Sequence, residues 1–239
     1  MERIILIETS CALCSTALAE NGTITSYRES SAPKAHASLT AVFVQEMLQE
    51  RGIGLKDCDA VCVSMGPGSY TGLRVGVSSA KGLCFGSGKP LIAVGTLDTL
   101  VAQASATVCR SEGSAPFRFI VPMVDARRME VYTAVFKASE DGCGKYVQVS
   151  GTEPAIIDKD SFSDILEQGP VLFIGDGAGK CSEVISHPNA TFVQCFPKAS
   201  SMLVPALDAY KEKRFEDVAY FEPFYLKEFV ATVSKKKLF

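Results

Sequence analysis

The stretch Gly66-Pro67-Gly68-Ser69-Tyr70-Thr71-Gly72 follows an apolar run and opens a segment of helical periodicity. Free N–H groups at a helix start, backed by the helix dipole, favour an anion such as phosphate. The spacing departs from the dinucleotide pattern G-x-G-x-x-G and does not follow the first strand. It also lacks the Gly-Lys-Ser/Thr ending of a Walker A loop, and Pro67 removes one donor. A phosphate cradle and a tight structural turn ahead of a packed helix both remain open. Gly72, Gly76 and Ala80 fall on one helical face, and small residues there permit close approach within the core or across subunits.

Glu8, Thr9 and Ser10 end the first apolar run, at a strand end where ligands collect in open α/β sheets. Glu8 can hold Mg2+ through water, cap a turn or face solvent. Asp125 takes the comparable place later, followed by Arg127 and Arg128. Arg127 suits a bidentate clamp on a carboxylate or phosphate, or an ion pair with Asp125 or Glu130. Arg74 can neutralise an anion or brace the loop to Glu8 or Asp98. His36 is read as a base, or as a residue of helix-start hydrogen bonding or an interface contact, and His187 as a surface-loop residue. Ser69 lies outside the G-x-S-x-G pattern of a nucleophile elbow. Cys11 and Cys14 form a lone CxxC. Cys58 and Cys62 have the wrong spacing to complete a typical four-ligand zinc site.

These residues need elements to hold them. Apolar runs predict strands at 3–7, 14–19 and 23–28, the last two joined by the hairpin signal Asn21-Gly22. Leu39, Val42, Phe43 and Met47 predict a helix over 36–50. A strand at 60–64, a helix over 71–85, a strand at 90–94 and a helix from Thr96 as its cap to 105 follow. Residues 105–116 read as a domain junction. Strands are expected at 118–126 (with a bend or edge at Pro122), 129–136, 146–150, 171–175 and 191–196. A turn is expected at Asp141, Gly142 and Gly144, and a helix over 200–212. The aromatic segment 220–229 is expected to pack back across a domain. A strand-then-hairpin opening thus occurs twice, near 3–28 and 118–150.

The 239 residues, 47% apolar and 21% charged, suit one large domain or two small ones with a self-sufficient core. The 24 basic and 27 acidic residues leave a net charge of −3, which excludes a broad nucleic-acid channel. Lys235, Lys236 and Lys237 read as a solvated tail. Most of the nine cysteines read as small buried residues of a cytoplasmic protein, with a redox pair or half a zinc site as the minor readings of Cys11 and Cys14, and no apolar run approaches a membrane span.

Three stretches together, IETS at 7–10, GPGSYTGLRVGVSSAKGL at 66–83 and DARRMEVY at 125–132, resemble the bacterial TsaB (YeaZ) family of tRNA threonylcarbamoyladenosine biosynthesis, over nearly the whole chain. The resemblance implies an α/β fold of the actin/Hsp70/sugar-kinase (ASKHA) class. Two ribonuclease-H-like halves with mixed sheets are expected, over residues 1–108 and 109–239. It implies a non-catalytic partner of a TsaD-like catalytic subunit, acting with a TsaE-like ATPase. That complex forms N6-threonylcarbamoyladenosine at position 37 of tRNAs reading codons that start with A. The chain would meet tRNA through the complex and form a homodimer when alone. ATP and Mg2+ would serve the partner subunits, with no cofactor held tightly here.

The partner face is then expected on the helices over 36–50 and 71–85, through Leu73, Arg74, Gly76, Val77 and Ala80. Glu8, Ser10, Gly66, Gly68, Asp125, Gly175 and Gly177 would mark a vestigial nucleotide site. Relatives carry Asp at the place of Glu8, and the extra methylene ill suits Mg2+. No catalytic or metal-ligating residue is expected. The competing readings are an ATP-dependent phosphotransferase of the same fold and a peptidase. The peptidase has neither a metal cluster nor a triad to draw on.

Overall fold

The computed structural model describes residues 2–108, 117–139 and 145–227. Residues 109–116 of the expected junction, the turn at Asp141, Gly142 and Gly144, and the lysines at 235–237 lie outside the described residues.

The first half opens with an antiparallel meander of β1 (Arg3–Glu8), β2 (Cys14–Glu20) and β3 (Thr23–Ser30). Asn21 and Gly22 both adopt positive φ, as a tight hairpin turn requires. Helix α1 (Ala35–Glu50) then leads to β4 (Ala60–Gly66), parallel to β1. Helix α2 (Tyr70–Ser87) leads to β5 (Leu91–Gly95), parallel to β4. The sheet order is β3-β2-β1-β4-β5. Ile5 and Ile7 of β1 face the helix-covered core with Val44, Met47 and Val77, while Ile4 and Leu6 face the opposite one. Burial on both faces explains an unbroken apolar run where a half-exposed strand would alternate.

The second half repeats this plan. After α3 (Thr96–Val108) come β6 (Phe119–Asp125), β7 (Glu130–Thr133), β8 (Phe136–Ala138), β9 (Tyr146–Gln148) and β10 (Glu153–Ile156). Then follow α4 (Ser163–Leu166), β11 (Val171–Gly175), α5 (Ala178–Cys181), β12 (Ala190–Gln194) and α6 (Leu203–Lys211). The order β10-β7-β6-β11-β12 matches the first sheet strand for strand. This is the ribonuclease-H-like arrangement twice over, the ASKHA architecture.

Several boundaries differ from expectation. The single strand expected at 129–136 is broken into β7 and β8, although the register runs on from Met123 opposite Thr133 to Ile120 opposite Phe136. The break lies opposite Pro122, which has no N–H for the ladder, and whose carbonyl accepts the Thr133 hydroxyl at 2.8 Å. The helix expected over 200–212 starts as a 3-10 turn at Ala199–Met202. Thr96 is buried with its hydroxyl unpartnered, so it does not cap α3.

The halves exchange helices. Leu97, Leu100 and Ala104 of α3 pack on Ile120, Val124, Leu172 and Ile174 of the second sheet. Met202, Ala206 and Ala209 pack back on Ile4, Leu6, Ala17 and Ile92 of the first. A cut at 108/109 therefore separates the sheets but not the packing. Among the described residues no helix is long and apolar enough to cross a membrane.

Candidate functional site

A cleft of about 790 Å3 opens between the halves. The turn after β1, the start of α1 and residues 68–71 line one wall. The β6–β7 hairpin, Tyr132 and Asp176 line the other, and residues 224–227 close one side.

On the first wall the glycine loop is turned toward its own chain. Ser69 N–H donates to the Ser10 carbonyl at 2.6 Å, and the Ser69 hydroxyl caps α2 by accepting from Gly72 N–H at 3.3 Å. A β-carbon on Gly68 would stand 2.3 Å from the Ser10 carbonyl oxygen, and one on Gly72 would stand 2.1 Å from that of Thr9. These glycines let α2 lie directly on the β1 turn. The tight-turn reading accounts for them, with the Ser69 and Gly72 N–H groups engaged within the chain.

Glu8 is fully buried, accepts the Ser10 N–H at 2.7 Å, and does not line the cleft. Burial pushes its carboxyl above the usual range, against the pull of the Ser10 N–H. Its second carboxyl oxygen has no partner, nor do the Thr9 and Ser10 hydroxyls beside it. Withdrawn from the cleft and fully buried, Glu8 does not fit a Mg2+–nucleotide group held there. Of the seven residues expected at a vestigial nucleotide site, Ser10, Gly68 and Asp125 line the cleft, while Glu8, Gly66, Gly175 and Gly177 do not. Gly66 lies under the Phe224 carbonyl, where a β-carbon would stand 2.7 Å away. A β-carbon on Gly175 would stand 2.1 Å from the Met123 carbonyl oxygen, and one on Gly177 would stand 2.7 Å from the Val131 side chain. Close packing accounts for all three. Among the described residues no three His, Cys, Asp or Glu side chains gather as a metal-ligand set.

His36 Nε2 lies 2.8 Å from the Cys11 carbonyl, so that nitrogen carries the hydrogen and ties the start of α1 to the β1 turn. This is the helix-start role. Cys11 and Cys14 are buried and unlinked, and burial raises both thiols. Arg74 reaches neither Glu8 nor Asp98; its guanidinium lies 4.3 Å over the Tyr70 ring.

On the second wall, Arg127 and Arg128 are consecutive residues at positive φ, 69° and 50°, in a turn without glycine. Lys180 of α5, which the sequence reading missed, holds that turn. Its ammonium pairs with Asp125 and donates to the Arg128 and Glu130 carbonyls, each at 2.7 Å. Asp176 accepts the Asp125 N–H at 2.8 Å, and burial raises its carboxyl. The ion pairs weighed for Arg127 do not form, because Asp125 binds Lys180 and Glu130 binds Lys227.

Residues 216–227 form a strap across the cleft, in line with the packing expected of the aromatic segment 220–229, whose last two residues lie outside the described residues. Glu216 bridges to Leu91, Lys81 donates to the Ala219 and Phe221 carbonyls, and Phe224 N–H donates to the Met65 carbonyl at 2.7 Å. Tyr225 packs against Tyr70 at 4.6 Å between ring centres. The latch to the second half is Lys227, paired with Glu130 and 5.7 Å over the Tyr132 ring.

The expected partner face needs correction. Leu73, Gly76, Val77 and Ala80 are buried in the chain's own core, with Gly76 packed against Thr9, so they cannot touch a partner. Arg74 alone of the five is exposed. The outward stripe of α2 runs through Thr71, Arg74, Ser78, Gly82 and Phe85, with Phe85 87% exposed. A β-carbon on Gly82 or Gly86 would meet nothing within 4 Å. Small residues occur on both faces of α2, and only the exposed large Phe85 hinted which one points outward.

The sequence model of the family described as TsaD, tRNA N6-adenosine threonylcarbamoyltransferase, matches residues 28–234. The chain is 30% identical over 237 residues to the tRNA threonylcarbamoyladenosine biosynthesis protein TsaB of Escherichia coli strain K12, covering 96% of each. It is 30% identical over 245 residues to TsaB of Haemophilus influenzae, covering 98% of this chain and 96% of that protein. In fold it is similar to YeaZ from Pseudomonas aeruginosa, with TM-score 0.79, 24% identity, and coverage of 95% of this chain and 100% of that one.

Proposed function

The chain belongs to the family of the tRNA threonylcarbamoyladenosine biosynthesis protein TsaB, and we propose that it serves there as a non-catalytic partner subunit. In this reading it binds and positions a TsaD-like catalytic subunit, within a larger complex that includes a TsaE-like ATPase. The complex forms N6-threonylcarbamoyladenosine at position 37 of tRNAs reading codons that start with A. The observation that carries the reading is the fate of Glu8 and the glycine loop. On a fold shared with catalytic proteins, the carboxyl is turned into the core, and the loop glycines pack on the β1 turn with the Ser69 and Gly72 N–H groups engaged by the chain itself. The same observation disfavours an ATP-dependent phosphotransferase.

The docking face of this reading is the outer side of α1 and α2, where Val42 is 41% and Phe85 87% exposed. A large exposed aromatic beside small residues offers an anchor and room for close approach. When the chain is alone, the same face would join two copies. Light scattering on the chain mixed with a purified TsaD-like subunit tests the reading. A species at the summed mass, with Kd near or below about 1 μM, is expected. No association at tens of micromolar, with or without ATP and Mg2+, would reject it.

A further inference from the structure

Arg127 and Arg128 are exposed at the cleft mouth, and among the described residues neither guanidinium has an ion-pair partner. Both nearby carboxylates, Asp125 and Glu130, are already bound by lysines. Their backbone is held in a conformation that side chains disfavour, with Lys180 clamping two carbonyls around it. Strain of this kind persists where the surroundings over-determine it, and it clusters at functional sites.

We propose that Arg127 and Arg128 form a rim that binds the phosphate backbone of RNA; this rests on the reading of the chain as a subunit of a tRNA-modifying complex. Guanidinium matches phosphate geometry with paired donors. Both guanidinium groups lie exposed on an open rim. For a small anion, single exposed pairs in water bind weakly. A polyanion gains from counterion release at every contact. The net charge of −3 makes the rim a local feature, which adds to the RNA affinity of a complex rather than giving the chain strong affinity by itself.

The test titrates a labelled tRNA that reads codons starting with A with the assembled complex, by fluorescence anisotropy at several salt concentrations. For R127Q/R128Q, Kd should rise at least about fivefold and the log–log salt slope should fall by roughly one to two. Assembly and Tm should stay unchanged. R128Q alone, at a residue whose carbonyl rather than side chain meets Lys180, gives an independent readout should the double variant fail to fold. An assembled complex that binds tRNA with unchanged Kd and slope overturns the proposal, as does a wild-type complex that binds none. ADP and inorganic phosphate are separate titrants. Arginine-dependent binding of either, without arginine-dependent tRNA binding, overturns the RNA assignment in favour of a small anion. If the two chains do not assemble, the partner reading fails by itself. The rim is then judged on this chain alone at low salt, where arginine-dependent tRNA binding keeps it and its absence overturns it.

Discussion

The carbonyl oxygen of Thr9 stands 2.1 Å from where a β-carbon on Gly72 would sit. That contact joins the β1 turn to the start of α2 through backbone, which cannot swing aside as a side chain can. Gly72→Ala should therefore push the helix off the turn, costing about 3 kcal/mol and lowering Tm by roughly 6–12 °C. Gly82→Ala, on the open face of the same helix, should be neutral or stabilising by up to about 1 kcal/mol. Thermal unfolding of both variants checks the assignment of inner and outer faces, and equal effects would refute it.

The outer face has its own test. Phe85→Asp should raise the Kd for the catalytic partner at least about thirtyfold, near 2 kcal/mol. The Tm of the chain alone should hold, because Phe85 is 87% exposed. Unchanged assembly would move the interface elsewhere.

Two buried glutamates should act on stability with opposite signs. Glu8, raised by burial, favours the fold as a neutral acid, and that contribution fades as pH rises through its folded pKa. Glu8→Gln should gain on wild type as pH increases from acid toward neutral. Glu20 accepts from Thr25 at 2.8 Å and pairs with Arg3 and Arg51 at 3.0 and 2.8 Å, which hold its carboxyl below the usual range. Its contribution is present at neutral pH and lost as pH falls through the folded pKa. Glu20→Gln should be destabilised at neutral pH and converge on wild type in acid. Urea midpoints measured across pH report both, and parallel profiles would contradict both assignments.

The strap should be tight on one half and loose on the other. Lys227→Gln removes a partly exposed pair with Glu130 and should cost at most about 1 kcal/mol, less at high salt. Lys81→Met removes the charged donor of both the exposed Ala219 and the part-buried Phe221 carbonyl and should cost about 1–2 kcal/mol. Limited proteolysis within 216–227 should accelerate more for Lys81→Met. The reverse order would show that the strap is held mainly from the second half.

The elements were readable because their causes are local. Ile4 to Ile7 spell a strand buried on both faces, Asn21-Gly22 spells its hairpin, and the spacing from Leu39 to Met47 spells α1. The motifs at 7–10, 66–83 and 125–132 carried the family. The interruption opposite Pro122 was legible only as a possible bend, because its effect on the ladder depends on which strand pairs with it.

What the sequence by itself determined, then, is the order of elements, the duplicated plan and the glycine-rich entry to α2, since periodicity and turn chemistry act over a few residues. Only the tertiary structure decided which way those elements face. Gly72 and Gly76 meet Thr9, Glu8 turns inward, and Lys180 holds a strained arginine turn 52 residues away in sequence. Each of these depends on a contact between distant segments, and a helical period gives the width of a face but not its direction.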